Sequence, residues 1–296
     1  MKLFSLASGS SGNCYLVQSS AGHNILIDCG LSAKKVQQYL AGFGVQIHQL
    51  SAIFLTHDHS DHVSGVGTIS QRWGVVVYAN SKTLEAARLR WEKLHRVAVE
   101  QTDRSGAADS GTVRPPAISK YNLQVLPTGA VIWFGSLQVS SFPVSHDAAD
   151  TVCYTLRENE CQATILTDLG CATNVIFEPL CRSDLIILEA NHSLERLQKS
   201  RYPYYLKARI TSDHGHLSNL QSGKILQEII ERSSPAHLVW LAHLSQESNQ
   251  PEIAKHEISH QLEMAGIHKF PLHVAQRDKP SLQWNGEPAV YQIPMF

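Results

Sequence analysis

The stretch Ala52-Ile-Phe-Leu-Thr-His-Asp-His-Ser-Asp-His62 decides how this chain is to be read. Its first half is a short apolar run of the kind that forms a buried strand. Its second half carries four metal-binding side chains, His57, His59, Asp61 and His62, within six positions. A strand that ends at Thr56 holds its C-terminal end rigidly, and the loop after it can aim several side chains at one point. Alternation along extended backbone puts His57 and His59 on one side. Asp61 and His62 come one step later, at an expected helix start, and can face a second ion. Imidazole and carboxylate suit Zn, Mn or Fe. The alternative is a chance polar loop, which rarely assembles four ligand types so closely.

One run cannot saturate two ions, so further ligands are expected at other strand ends. His146 follows the strand-like Val139–Ser145, Asp168 follows Ala163–Thr167, and His243 follows Leu238–Ala242. Any one of these alone reads as a cap or loop residue. Three with the same placement as the first motif read as ligands.

Working outward, the hydrophobic pattern predicts strands at 2–7, 13–18, 24–28, 52–56, 75–79, 130–134, 137–142, 151–157, 162–167, 184–189, 237–241 and 269–274. It predicts helices at 32–41, from Asp61, and at 82–95, 172–181, 217–231 and 250–265, with Ser218 as an N-cap. Residues 100–122 hold Gly106, Gly111, Pro115 and Pro116 and read as a polar inserted loop. Strands come in runs, with helices interspersed in each half. Two such halves, each a sheet covered by helices, predict an α/β (α+β) fold, a four-layer αββα sandwich, as one domain over 1–296.

Thr56-His-Asp-His-Ser-Asp-His62 resembles the H-x-H-x-D-H signature of the metallo-β-lactamase superfamily. Asp28, in Leu26-Ile-Asp-Cys-Gly30, resembles its first motif, and His146, Asp168 and His243 its later ones. The resemblance implies one ion on His57, His59 and His146, a second on Asp61, His62 and His243, and Asp168 bridging both. It implies Asp28 as a support that orients a His ligand, and gives Asp58 no ligand role, so Asp58 reads as a solvated loop or cap carboxylate. The implied cofactors are two divalent ions, Zn2+ or Mn2+/Fe2+. Two ions about 3.5–4 Å apart share one water, lower its pKa toward about 7, and neutralise the oxygen of the group attacked.

Bulk composition narrows the class. The formal charge of -1 gives no global attraction to nucleic acid or to an anionic membrane, though a local basic groove remains open. No stretch approaches the roughly 18 apolar residues of a membrane span, and the N-terminal apolar run is too short for a secretion signal. The six Cys form no C-x-x-C pair and sit mostly among apolar residues, as free thiols do. The cytoplasm is the expected compartment; the sequence carries no signal for oligomeric state.

The substrate rests on finer likeness. Ser5-Leu-Ala-Ser-Gly-Ser-Ser-Gly-Asn-Cys-Tyr15 is a tight turn whose backbone N–H groups could accept an anion or merely close a hairpin. It closely resembles the start of the YycJ (WalJ) family of metallo-β-lactamase-fold nucleases, as do Glu189-Ala-Asn-His192, Arg201–Lys207, Gly215–Asn219 and Leu241–Asn249. The chain departs from that family at 100–122, at Ser193 and at Asp213-His214. The likeness implies a DNA exonuclease or related phosphodiesterase, with Asp61, Asp168 and His216 as catalytic residues. His216 would protonate the leaving group or bind the scissile phosphate, and Ser218 and Asn219 would bind substrate at a helix N-terminus, where plain capping is the alternative. Arg196, Lys199, Arg201, Lys207 and Arg209, interleaved with Tyr202, Tyr204 and Tyr205, read either as a single-strand groove or as a solvated loop. His192 reads as buried and hydrogen-bonded. A small-molecule hydrolase acting on a cyclic phosphodiester, thioester or lactone is the second class. A binding protein without catalysis is the third, and seven filled ligand positions argue against it.

Overall fold

Strands apolar at successive positions need both faces buried, one against a second sheet and the other against helices. The computed structural model describes residues 1–104, 121–233 and 238–287, and among these two seven-stranded sheets form. The first contains β1 (Lys2–Ala7), β2 (Cys14–Gln18), β3 (Asn24–Ile27), β4 (Leu50–Phe54), β5 (Val77–Ala79) and β6 (Leu123–Val125). The second contains β7 (Val131–Phe134), β8 (Leu137–Pro143), β9 (Val152–Glu158), β10 (Cys161–Leu166), β11 (Leu185–Glu189), β12 (Leu238–Ala242) and β13 (Leu272–Val274). A last strand, β14 (Leu282–Trp284), returns to the first sheet and pairs antiparallel with β1.

Alternation sorts each strand between two cores. Ile25 and Ile27 of β3, Leu185 and Ile187 of β11, and Trp240 of β12 meet between the sheets. Leu26 of β3 faces the helices outside the first sheet. Ile186 and Leu188 of β11 and Leu241 of β12 face those outside the second. These three cores between four layers are the expected αββα sandwich. Each fully buried Leu or Ile contributes about 1.5–3 kcal/mol over exposure.

Pairing also sets the rim on which chemistry can sit. β3, β4, β5 and β6 run parallel, and so do β10, β11, β12 and β13. Parallel strands place all their C-terminal ends at one edge, where loops can converge without disturbing the sheet.

Several expectations need correction. The helix expected at 82–95 runs over Ser81–Arg104, so the first residues of the expected loop are helical; residues 105–120 lie outside those described. Residues 123–125 and 282–284 are short edge strands that too few apolar positions announced. Residues 172–181 divide into a 3-10 turn, Asn174–Ile176, and a helix, Phe177–Cys181. The basic stretch is not a plain loop; it holds two short helices, Leu194–Lys199 and Tyr204–Ile210. No helix among the described residues is long and apolar enough to cross a membrane.

Candidate metal centre

Leu55 and Thr56 extend β4 past its last pairing, and the chain then turns into the short helix Ser60–Val63. Gly30 makes that turn fit. A Cβ at Gly30 would lie 1.7 Å from the Asp61 carbonyl oxygen, so no other residue leaves the His-bearing turn where it is. The loop after β1 closes the same turn from the other side. Asn13 N–H donates to Asp61 O (2.7 Å), and the Asn13 amide lies 3.0 Å from His62 Nε2. The N–H groups of Ser8, Gly9, Gly12 and Asn13 all go to internal acceptors, so these four latch the loop and have none left for an anion.

Four groups of potential ligands converge here: His57, His59 and His146; Asp61, His62 and His243; His57, His62 and Asp168; and Asp168, Glu189, His216 and His243, with ligand atoms within 4.8 Å inside each group. Asp168 joins the first two groups. Its Oδ2 lies 3.1 Å from His62 Nε2, and its Oδ1 lies 3.9 Å from His146 Nε2 and 3.4 Å from His243 Nδ1. Asp61 Oδ2 lies 3.5 Å from His62 Nε2 and 3.3 Å from His243 Nε2.

The rings are oriented by what stands behind them. His57 Nδ1 meets Thr56 Oγ1 (2.9 Å), His62 Nδ1 meets Asp28 Oδ2 (2.8 Å), His146 Nδ1 meets Gly215 O (2.9 Å), and His243 Nδ1 meets Glu189 Oε1 (2.9 Å). In each case an acceptor occupies Nδ1, which favours the Nδ1–H tautomer and leaves the Nε2 lone pair for the centre. His59 is the exception; its Nδ1 faces inward, 3.3 Å from His146 Nε2, and its Nε2 lies 3.8 Å from Asp147. Asp28 also accepts from the Thr56 N–H (2.9 Å) and hydroxyl (2.8 Å), tying β3 to β4.

Two residues that the sequence reading did not assign are central. Glu189 ends β11 and is fully buried. Its Oε1 accepts from His216 Nδ1 (2.8 Å) and His243, while Oε2 accepts from the N–H groups of Leu169 (3.1 Å) and Leu217 (3.3 Å). Thr56 joins Asp28 to His57. A signal for Glu189 existed: it continues the inward phase of Leu185 and Ile187 and is the one charge in an apolar strand.

Electrostatics reflect four carboxylates, Asp28, Asp61, Asp168 and Glu189, packed around the histidines. Burial lowers His57 well below the usual imidazole range. Burial also opposes a proton on His62 and His243, but Asp168, Asp28 and Asp61 raise the first, and Asp168, Asp61 and Glu189 push the second up to about 10. Asp168 is held well below the carboxylate range because His243 and His62 outweigh its burial. Glu189 falls to about 2, burial being outweighed by His216 and His243.

The donor set fits divalent ions. His57 Nε2 is buried in the cluster and makes no hydrogen bond, and the rings of His62 and His243 and the carboxylates of Asp61 and Asp168 pair there with one another. An unpartnered buried donor or acceptor is costly unless something else satisfies it. Four formal negative charges also match the four positive charges of two divalent ions.

The other predicted residues are placed as follows. His216 stands beside the cluster, 3.7 Å from Asp168 through Nδ1, partly exposed. Ser218 caps the helix Asn219–Arg232 in a capping box with Gln221. Asn219 is buried, with its amide on Asn249 and Glu257. Ser218 thus has the capping role that the sequence offered as the alternative to substrate contact, and the Asn219 amide is engaged inside the fold. His192 is buried with neither ring nitrogen hydrogen-bonded, so the expected bond is absent. Asp58 is also buried, not solvated; it accepts from Ala149 N–H (3.1 Å) and Arg90 (3.2 Å) and holds the loop after His146.

Comparison with known proteins agrees with this picture. The sequence profile of the metallo-beta-lactamase superfamily matches residues 7–140. The chain is 33% identical over 262 residues to the exodeoxyribonuclease WalJ of Streptococcus pneumoniae serotype 2, covering 88% of each chain. It is 32% identical to the exodeoxyribonuclease YycJ of Bacillus anthracis over 88% of this chain and 89% of that one. The crystal structure of the metallo-beta-lactamase fold protein YhfI from Bacillus subtilis superposes with a TM-score of 0.63 at 18% identity, over 96% of this chain and 98% of that one, and so shares its fold.

Proposed function

The chain belongs to the metallo-beta-lactamase superfamily, in the group of the WalJ and YycJ exodeoxyribonucleases, and from that premise we propose that it is a metal-dependent DNA exonuclease. The observation that carries the metal-dependent reading is His57 Nε2, buried and without a hydrogen-bond partner inside a cluster of histidines and carboxylates. DNA as substrate rests on the relatives.

We assign one ion to His57, His59 and His146, a second to Asp61, His62 and His243, and a shared position to Asp168. Zn2+, Mn2+ and Fe2+ all suit this donor set. Two such ions, when bound, supply Lewis-acid stabilisation of the phosphate and an activated water. The chain's own residues do the rest. Asp28, Thr56, Gly215 and Glu189 hold the ligand rings in one tautomer and orientation. His216 gives Nδ1 to Glu189, which leaves Nε2 as the ring nitrogen available for proton transfer. As the phosphorus–oxygen bond to the leaving nucleoside breaks, His216 Nε2 hands its proton to the departing oxygen, and Glu189 offsets the charge on the ring while it is protonated. Six free cysteines fit a reducing compartment, and we place the protein in the cytoplasm.

The test is metal reconstitution followed by a substrate panel: bis-p-nitrophenyl phosphate, labelled single- and double-stranded DNA, RNA, a thioester and a lactone. Cleavage of DNA and of the model diester is expected, and Asp168→Ala should abolish both. Turnover of the thioester or lactone with none of any phosphodiester would refute the assignment.

A further inference from the structure

The helix Tyr204–Ile210 has no buried residue, so packing into the core does not hold it. Backbone contacts with the loop bearing His216 do. His216 N–H donates to Ile210 O (2.9 Å), and Gly215 passes so close that a Cβ there would lie 2.2 Å from Arg209 O. Arg209 also bonds Asp147, the neighbour of His146. The helix is thus part of the rim of the metal centre, and it carries two rings outward: Tyr204 is 87% exposed and Tyr205 74%.

Packing gives these rings no occupation. Neither makes an aromatic or cation contact with another side chain among the described residues, and two bare aromatics in succession are a surface built for contact. Their surroundings carry positive charge. Arg201, Lys207 and Arg209 flank them; Arg209 is paired with Asp147 and Lys207 donates to the Gln198 carbonyl, while Arg201 makes no ion pair among the described residues. On the inner side of the segment, Tyr202 and the Arg209–Asp147 pair line a pocket of about 150 Å³ with Ser10, Asn191 and His216. At about 30 Å³ per water, that volume takes roughly five waters, room for a phosphate or one ring but far below the 300 Å³ or more of a site for a larger ligand. A chain can end in such a pocket while the remainder of it lies across the tyrosines outside.

We propose that Tyr204 and Tyr205 form a stacking platform for unpaired bases of a single-stranded polynucleotide, delivering its end to the pocket beside His216. This rests on the nuclease reading above and adds the form of the substrate. A duplex hides its base faces, so bare rings serve only bases that are unpaired, and the unpaired Arg201 beside them meets the phosphates. Stacking of this kind tolerates any sequence, and its removal weakens binding about 5- to 150-fold per base.

The experiment compares the metal-loaded protein with Y204A/Y205A and Y204F/Y205F on a labelled single-stranded DNA 12-mer, the same sequence as a blunt duplex, and bis-p-nitrophenyl phosphate. The double alanine variant should lose at least about tenfold in kcat/KM on the single strand, mainly through KM. It should change less on the duplex and stay within about twofold on the small diester, which needs no platform. The phenylalanine variant should keep single-strand activity within about threefold, since the ring and not the hydroxyl acts. Unchanged single-strand cleavage by Y204A/Y205A overturns the inference while leaving the nuclease reading intact, and would assign the two rings to a protein partner. An equal loss on the small diester overturns it as well, because the helix would then only support the centre. A wild-type protein that cleaves the small diester but no DNA refutes the nuclease reading, and this inference with it.

Discussion

Glu189→Gln separates the two ion positions, because Glu189 supports one of them and shares no atom with the other. The carboxylate accepts four hydrogen bonds, two from imidazoles on Oε1 and two from backbone N–H groups on Oε2. Glutamine has one oxygen and one NH2 in the same space, so its NH2 must face one of these donor pairs. If it faces Leu169 and Leu217, two buried N–H groups lose their acceptor, each costing about 1–3 kcal/mol. If it faces the histidines, His243 loses a charge-assisted bond of about 1.5–3 kcal/mol and with it the orientation of Nε2. In both cases the negative charge behind His243 is gone. Loss of such a supporting contact typically weakens a metal site 10- to 100-fold. The second ion should therefore bind about 10- to 100-fold more weakly, while the ion on His57, His59 and His146 changes less than about threefold. Titration against a competing chromogenic chelator resolves the two steps. Wild-type affinity at both, or an equal loss at both, would refute the placement of Glu189 behind one ion only.

Gly30→Ala should disrupt the centre without touching a ligand, since its Cβ would meet Asp61 O at 1.7 Å; metal analysis after dialysis should find fewer ions than in the wild type, and full loading with an unchanged melt would contradict the clash. Chelation should lower the melting temperature. An ion present at 100 times its Kd stabilises by about 2.7 kcal/mol, roughly 4 °C for a chain of 296 residues, and a melt unaffected by EDTA and by added Zn2+ counts against a bound metal. His192 supplies a pH test. Burial lowers it to about 4, against about 6.5 in an unfolded chain. As pH falls below about 6.5 the unfolded state takes up the proton first, so the folded state loses up to about 3 kcal/mol by pH 4, and none of this cost acts at pH 8. His192→Leu should flatten that part of the stability-against-pH curve in urea melts; an unaltered slope would mean that His192 titrates normally in the fold.

Much of this was legible because strands and ligands obey local rules. The continuous apolar runs of β3, β11 and β12 mark strands buried on both faces, and the four-layer sandwich follows from that. The run from His57 to His62 lies in one turn, so its convergence is visible in one dimension. Ser218 announced its cap. What stayed hidden depends on neighbours far along the chain. Asn13 and His62 are 49 residues apart, and only the latch between β1 and β2 brings them together. Asn219 looked available to substrate because a helix N-terminus attracts anions, yet Glu257 and Asn249 from a distant helix claim its amide. His192 looked like a residue that must be hydrogen-bonded, and nothing local says that its pocket lacks a partner.

Asp28, Asp168 and His243 show why strand ends carried so much of the signal. Each follows a parallel strand, β3, β10 and β12 respectively, and each has a left-handed φ, of 57°, 61° and 53°. A non-glycine residue held there costs of order 1–3 kcal/mol, and it persists only where the surroundings impose it. The residue in this conformation leaves its strand at the sheet's rim with its side chain engaged in the cluster: Asp28 on His62, Asp168 on His62 and His243, and His243 on Asp61 and Glu189. Three strands use this device, and their side chains arrive at one cluster. Asn, Asp and His are the side chains best tolerated in that conformation, and Asp and His are also the ones that bind or orient a metal ion. A lone Asp or His immediately after an apolar run thus satisfies the backbone and the chemistry together, and the fold can keep the strained conformation at these positions because the buried cluster fixes each side chain from the far end.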